Sequence, residues 1–413
     1  MAKIRRFQAV HPPKDLAPRV AALPYDVYNT QEARALIEKE PASFLQVDLP
    51  LATMEAQTDP KDYDLLGKKA LENYQAMKEA GYFLKDRQAK IYLYELTMEG
   101  QSQLGLVASA SVDDYLDDTI KKHEFTRKDK ETDRIHHVDS LDANTGPIFL
   151  TYRNTPLIKE IMEEKRAQDP LVAFVSEDGV GHRIWAIEDE GKLDQLEEAF
   201  GKLEALYIAD GHHRSASAVQ VALKRRKDHP DYTGEEEFNF FLAILFPMEE
   251  VRVMDYNRVV ADLNGLDEAS FLEALKENFL LEEAPTSPYQ PEGKGTFGLY
   301  LGENWYKLTL KDGLAPDDPV ASLDVSLLQD LVLDPILGIK DPRTDERIDF
   351  IGGIRGLKEL ERRVHEDMTL AFALYPTSLE ELMTVADAGR VMPPKSTWFE
   401  PKPRSGLFIH ELS

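Results

Sequence analysis

Apolar positions along the chain gather in short blocks of two kinds. Residues 91–96 and 104–112 are dense in β-branched, aromatic and aliphatic side chains on either side of Gly100, and read as paired strands. Residues 145–152 give a further strand, and residues 171–187 give two strands about the turn Asp178-Gly179. Residues 239–246 form a continuous apolar strand, 297–301 and 305–310 a hairpin, and 368–375 another strand. The other blocks keep helical spacing. Thr30 is expected to cap a helix over 31–39 that Pro41 ends, and a longer helix over 61–80 stops at Gly81. Helices are also expected over 192–200, 213–226, 322–333 and 379–388, with Ala216, Val219, Ala222 and Leu223 spaced along one face of the second of these. Residues 283–296, rich in Pro and Gly, suit a surface loop. Strands and helices alternate without repeats, which predicts an α+β protein of mixed sheets with flanking helices.

A chain of 413 residues exceeds what one hydrophobic core usually supports. Three regions are expected: 1–145, 146–282 and 283–413. At 42% hydrophobic and 30% charged residues the composition is that of a soluble globular protein. No apolar stretch approaches the roughly 18 residues of a membrane helix, and Met1 to Phe7 do not read as a signal peptide. The absence of cysteine excludes disulfide and thiol chemistry and makes a cytoplasmic location the expectation. A formal net charge of −26 argues against nucleic acid as a partner, because phosphate backbones would be repelled. It also makes local basic clusters stand out: Lys121-Lys122, Arg127-Lys128, Lys224 to Lys227, and Lys402 to Arg404.

Chemistry concentrates in Tyr207-Ile208-Ala209-Asp210-Gly211-His212-His213-Arg214-Ser215. An apolar run stops at Asp-Gly, and small residues suited to a helix follow the histidines. A strand–turn–helix start presents free backbone N–H groups and the positive end of the helix dipole, an anion site. Gly211 lets the backbone approach a ligand, Arg214 offers a planar fork of donors, and His212 and His213 titrate near neutral pH. A second segment, from Lys121 to His137, carries three of the ten histidines. Within it His123 and Glu124 suit general acid–base work, and Glu124 with Asp210 would suit a hard cation such as Mg²⁺. The alternative there is a charged, solvated helix, with Arg127 and Glu131, or Lys130 and Asp133, as surface pairs one turn apart. His136 and His137 are expected to belong to that solvated face.

A third segment, Gly389 to Phe399, ends its glycine-led half in Lys395-Ser396-Thr397. Pro394 stands where a phosphate-binding P-loop has its second glycine, so this is no intact Walker loop, yet its Lys, Ser and Thr suit an anion. Pro24-Tyr25-Asp26-Val27 reads as a tyrosine-anchored turn, and Asp349 to Gly353 as a strand end. No His-Glu-x-x-His spacing, Ser-His-Asp order, Rossmann fingerprint or kinase signature set occurs.

Taken together, Asp210-Gly211-His212-His213-Arg214, His123-Glu124-x-Thr126, Pro24-Tyr25-Asp26-Val27 and Met392 to Thr397 resemble a bacterial family of unknown function, number 1015 of that series. That family is similar to the ParB and sulfiredoxin superfamily, in which a Gly-x-His-Arg or Gly-x-Arg-Arg turn at a helix start holds nucleotide phosphates. The resemblance implies that Gly211, His213 and Arg214 form that turn, with Ala218 in the following helix and residues 181–187 and 206–209 as strands of the same unit. A free-serine kinase of that superfamily uses a glutamate as base, a role the resemblance assigns to Glu124. The sulfiredoxin cysteine has no counterpart, so sulfinic-acid reduction is excluded.

These readings converge on a phosphate- or nucleotide-binding enzyme of small-molecule metabolism, performing phosphoryl transfer or phosphate-ester hydrolysis on serine or phosphoserine. Expected catalytic residues are Glu124, His123, Asp210 and His212. Gly211, His213, Arg214, Ser215, Lys395, Ser396 and Thr397 are expected to bind the cofactor, and Glu124 and Asp210 a Mg²⁺ ion accompanying ADP or ATP. The expected partner is a small anionic or phosphorylated metabolite, with no nucleic acid or membrane; homo-oligomerisation is left open. A non-catalytic nucleotide-binding regulator and a metal-dependent hydrolase are the alternatives.

Overall fold

A computed structural model describes residues 1–126 and 128–413, with the side chain of Asp129 outside the description. The expected pairing of Arg127 with Glu131, and the basic pair Arg127-Lys128, therefore fall outside the described residues in part. The chain divides into two units. Residues 1–251 and 401–413 form the first, and residues 252–400 form the second, which interrupts the first in sequence. This differs from the three-part expectation, because strand pairing runs across the boundary expected at 145 and 146.

In the first unit, nine strands form one sheet: β1 (Ile4–Arg5), β2 (Ile91–Met98), β3 (Gln101–Ser111), β4 (Ile120–Lys121), β5 (Ile148–Tyr152), β6 (Val172–Val175), β7 (Gly181–Ile187), β8 (Leu206–Asp210) and β9 (Phe240–Pro247). Their order is β4-β8-β5-β9-β3-β2-β7-β6, with β1 paired to β3. The β4–β8 and β5–β9 pairs are parallel and the others antiparallel. β9 is buried along its whole length, as its unbroken apolar run requires of a central strand.

The longer helices of this unit are α1 (Thr30–Lys39), α2 (Tyr63–Glu79), α3 (Lys128–Leu141), α4 (Pro156–Arg166), α5 (Glu190–Phe200) and α6 (His212–Asp228). The cap of α1 is Asn29, not Thr30; its side chain accepts from the Gln31 and Glu32 amides while Glu32 returns a bond to the Asn29 amide. This capping box was present in the sequence as Asn29-x-x-Glu32. Helix α4, absent from the periodicity reading, starts on a Thr155 cap with Pro156 at its first position. The basic run on α6 is structural: Lys224 and Arg225 pair with Asp139, Arg225 also with Asp142, and Arg226 with Asp113. The Lys224 and Arg225 bonds join α6 to α3 and its C-terminal end, and the Arg226 bond joins it to the turn that follows β3.

The second unit holds a six-stranded antiparallel sheet of β10 (Tyr256–Val260), β11 (Phe279–Glu283), β12 (Thr296–Leu301), β13 (Asn304–Leu310), β14 (Ile348–Gly352) and β15 (Leu370–Leu374), in the order β11-β13-β12-β15-β10-β14. Helices α7 (Glu268–Leu275), α8 (Leu357–Glu366) and α9 (Leu379–Asp387) accompany it. The helix expected over 322–333 is α-helical only over Asp324–Leu328 and continues as a π-helical turn over Gln329–Leu333. Among the described residues no helix is long and apolar enough to cross a membrane.

Candidate functional site

Strand β8 ends at Asp210, Gly211 turns the chain with φ of 95°, and α6 begins at His212. A left-handed residue at that point needs glycine. A β-carbon there would also stand 3.2–3.3 Å from the Arg214 guanidinium, which lies over the turn. Gly211 brings no side-chain cap, so the first turn of α6 opens on backbone amides without a side-chain acceptor from that position.

Strand β4 runs parallel to β8, with Ile120 opposite Leu206 and Lys121 opposite Tyr207. Parallel neighbours release their C-terminal ends at the same side of a sheet, so His123 and Glu124 emerge beside Asp210 to His212. The His123 amide donates to His212 Nε2 at 3.4 Å, and the two imidazoles meet edge to face with centroids 4.5 Å apart. His212 Nδ1 lies 3.7 Å from a Glu124 carboxylate oxygen. His123 and His212 are 2% and 4% exposed, whereas about half of the Glu124 side chain, 48%, faces solvent. Burial pushes the His123 imidazole down to about 4, against a backbone hydrogen bond at Ile208 and the charge of Asp210. Burial and the His123 neighbour hold His212 well below the usual histidine range. Both rings are therefore neutral at pH 7.

Asp210 is the charged member of the turn. Burial would raise its carboxyl, but the Lys402 and Arg214 charges outweigh burial and hold it far below the usual carboxylate range. Lys402 Nζ and Arg214 Nη2 both approach Asp210 Oδ2, at 3.3 and 3.4 Å. Arg214 Nη1 donates to the Pro147 carbonyl at 2.7 Å. Ser215 is fully buried, and its hydroxyl donates back to the Gly211 carbonyl at 2.9 Å, so it does not line the open end of the turn. His213 is half-buried on the first turn.

Arg214 also reaches an inner polar cavity of about 30 Å³, whose walls include Tyr25, Asp48, Arg134, His137 and Thr145. The residues expected as a plain turn and a solvated helix face are here the lining of a buried charged cluster. Asp48 accepts from Thr145 Oγ1 at 3.0 Å and lies 3.5 Å from His137 Nε2. Arg134 bonds to the Asp48 carbonyl at 3.3 Å and to Asp133 at 2.9 Å, and its guanidinium stacks 4.1 Å over the Tyr25 ring. His137 is thus buried, correcting the expectation of a solvated histidine; burial lowers its pKa, as does the Arg134 charge, against the pull of Asp48. His136 is half-buried, its ring against Tyr63 and its Nδ1 3.1 Å from Asp64.

The C-terminal segment completes these surroundings. Ser405 bridges to Ala22 through two backbone hydrogen bonds of 2.8 and 3.2 Å, and Arg404 reaches Asp178 and Ser176. Sequence reasoning passed over Asp48, Arg134, His137 and Lys402 as site residues. The signal for Asp48 was a lone carboxylate inside the apolar run Phe44-Leu45-Gln46-Val47-Asp48-Leu49-Pro50-Leu51.

Lys395, Ser396 and Thr397 belong to the second unit, so they are not gathered with the Gly211 turn inside one folded unit. There Lys395 has φ of 59°, its carbonyl accepts from Arg258 at 2.9 Å, and the Ser396 hydroxyl donates to the Pro393 carbonyl at 2.6 Å. Among the described residues no group of three or more His, Asp or Glu side chains is arranged to hold a metal ion. Glu124 and Asp210 remain as carboxylates near His212, but Asp210 Oδ2 is already shared by two cations.

Residues 4–326 match the family model described as "Protein of unknown function (DUF1015)". No protein of curated function matches the chain. Similar solved structures include a free serine kinase variant in complex with ADP, at 15% identity and a TM-score of 0.35, covering 73% of this chain and 92% of that one. SbnI from Staphylococcus aureus with a C-terminal truncation matches at 12% identity and a TM-score of 0.37, covering 72% and 85%. A conserved hypothetical protein from Pyrococcus furiosus matches at 16% identity and a TM-score of 0.33, covering 73% and 93%.

Proposed function

The chain belongs to this family of proteins of unknown function, DUF1015, and from that premise we propose that its first unit is a phosphate- or nucleotide-binding enzyme of small-molecule metabolism. The reaction is phosphoryl transfer or phosphate-ester hydrolysis, with serine or phosphoserine as the first substrates to try. The observation that supports this reading is the meeting of His123-Glu124 with the Asp210-Gly211-His212 turn, at 3.7 Å between Glu124 and His212. An anion site alone binds; an anion site with a half-exposed carboxylate beside it can also move a proton.

In this reading Gly211, His213 and Arg214 cradle a phosphate of ADP or ATP as a ParB- and sulfiredoxin-like turn. The contact of Arg214 with Asp210, at 3.4 Å, is long enough for a phosphate oxygen to replace it. Glu124 takes the proton of the acceptor hydroxyl or of water. His212, neutral and buried, orients Glu124, and His123 packs His212 in place. Mg²⁺ usually keeps several waters and needs only one or two protein carboxylates besides the phosphates. Glu124 fits that requirement better than Asp210, whose charge Lys402 and Arg214 already balance. When bound, the ion would neutralise charge on the transferring phosphoryl group. Lys395, Ser396 and Thr397 stand outside this assignment.

Calorimetric titration of ADP, ATP and CTP into the wild-type and Glu124→Gln proteins, with turnover of serine and phosphoserine measured alongside, tests the reading. Nucleotide binding kept by Glu124→Gln, with turnover reduced by about 10²–10⁴-fold, supports the enzyme. Binding by both proteins without turnover of either substrate supports the regulator instead. Absence of binding by the wild type rejects both.

A further inference from the structure

A larger cleft adjoins the inner cavity in the same unit. Its volume is about 370 Å³, within the range of small-molecule sites, and Arg134 and His137 line both spaces. Leu49, Leu51 and Leu66 give it an apolar side. Its charged lining is Lys61, Lys130, Arg134 and His137 with one carboxylate, Asp133, so cations outnumber carboxylates three to one even with His137 neutral. The whole chain has a net charge of −26, and a basic cleft on such a chain is a local reversal of its field. Lys61 and Lys130 are exposed at the rim, while Arg134 is 6% exposed at the join with the inner cavity.

Arg134 is held in a fixed orientation. It is stacked on Tyr25, tied to the Asp48 carbonyl and paired with Asp133, so its guanidinium is oriented before any ligand arrives. His137 beside it holds its buried Nε2 atom 3.5 Å from an Asp48 carboxylate oxygen, so this part of the wall is a neutral ring backed by an engaged carboxylate.

We propose that this cleft binds a small organic anion, a carboxylate or phosphate ester with an apolar body, anchored by Arg134 and steered by Lys61 and Lys130. As the site of the second substrate it rests on the phosphoryl-transfer reading, since the inner cavity leads from Arg134 and His137 to Arg214. As an anion site it stands without that reading.

Ligand-observed NMR with p-nitrophenyl phosphate and p-nitrobenzoate tests it, with p-nitrobenzyl alcohol as the neutral control and ADP titrated separately. The anions should bind the wild type and the alcohol should not. Reversing the rim charges by Lys61→Glu with Lys130→Glu should weaken both anions by about tenfold or more, with ADP affinity unchanged. Leu51→Trp, which fills the cleft, should do the same, and the rim variant keeps the test valid if that protein fails to fold. Binding of the phosphate probe alone narrows the ligand to phosphate esters and still supports the site. The proposal is overturned if neither anion binds, or if the bound anion is displaced by ADP and indifferent to the rim charges, which would put it at the Gly211 turn. Anion binding that follows the rim charges in a protein that binds no nucleotide would keep the cleft and reject the phosphoryl-transfer reading.

Discussion

His212 Nδ1 stands 3.7 Å from a carboxylate oxygen of Glu124, and the two reach each other because β4 and β8 are parallel neighbours. The imidazole is buried and neutral, so it can orient the carboxylate without adding a charge. If Glu124 is the base, His212→Gln should lower kcat by roughly 10–100-fold with KM nearly unchanged, and should move the acidic limb of the kcat–pH profile. A pH profile that keeps its shape and height in His212→Gln would make the pair purely structural.

The same burial sets an acid limit on stability. His123 and His212 have folded-state pKa values below the histidine value of 6.5, with His123 at about 4. The unfolded chain therefore binds more protons between these limits. Stability is fully present above pH 6.5 and is lost as pH falls toward 4, by on the order of 3 kcal/mol for His123 alone. Chemical denaturation from pH 7.5 to 4.5 should show this loss, and His123→Gln should flatten it. An unchanged slope in that variant would contradict the assignment.

Gly211→Ala should harm both the fold and the site. A left-handed residue with a side chain costs about 1–2 kcal/mol, and the new methyl meets the Arg214 guanidinium at 3.2 Å. The expected outcome is a lowered denaturation midpoint together with weaker ADP binding. Loss of stability without loss of ADP affinity would mean that phosphate does not sit on this turn.

Local elements were legible in the chain because their signals are local. The hairpin of β2 and β3 around Gly100 and the α2 stop at Gly81 follow from periodicity and turn chemistry. The strand–turn–helix at Gly211 was equally plain. What could not be read was which distant segments become neighbours. The Asp48–His137 contact and the approach of Lys402 to Asp210 join residues far apart in sequence, and no local pattern encodes them. His137 illustrates the cause: α3 is a charged helix with only Ile135 and Val138 as apolar residues near this position, and the packing of α3 against α2 and α6 is what buries it. The boundary expected at 145 and 146 was misplaced for the same reason, because β8 draws one strand partner from each side of it.

Helix α2 and helix α3 are drawn together at Gly67, where a β-carbon would lie 2.2 Å from Ser140 Oγ and 3.0 Å from Ser140 Cβ. Rotation of the Ser140 hydroxyl removes the first contact but not the second, so Gly67→Ala requires the two helices to give by a few tenths of an ångström. Overpacking of this kind costs about 1–3 kcal/mol. Because α3 carries Arg134 and His137, the shift should also disturb the cleft that both side chains line. Gly67→Ala should therefore lower the midpoint of thermal unfolding and weaken p-nitrobenzoate binding together. Adding Ser140→Ala removes the closer clash and should restore part of both, and the coupling between the two positions is measurable in a double-mutant cycle. Strict additivity of Gly67→Ala and Ser140→Ala would show that the helices do not meet at this point.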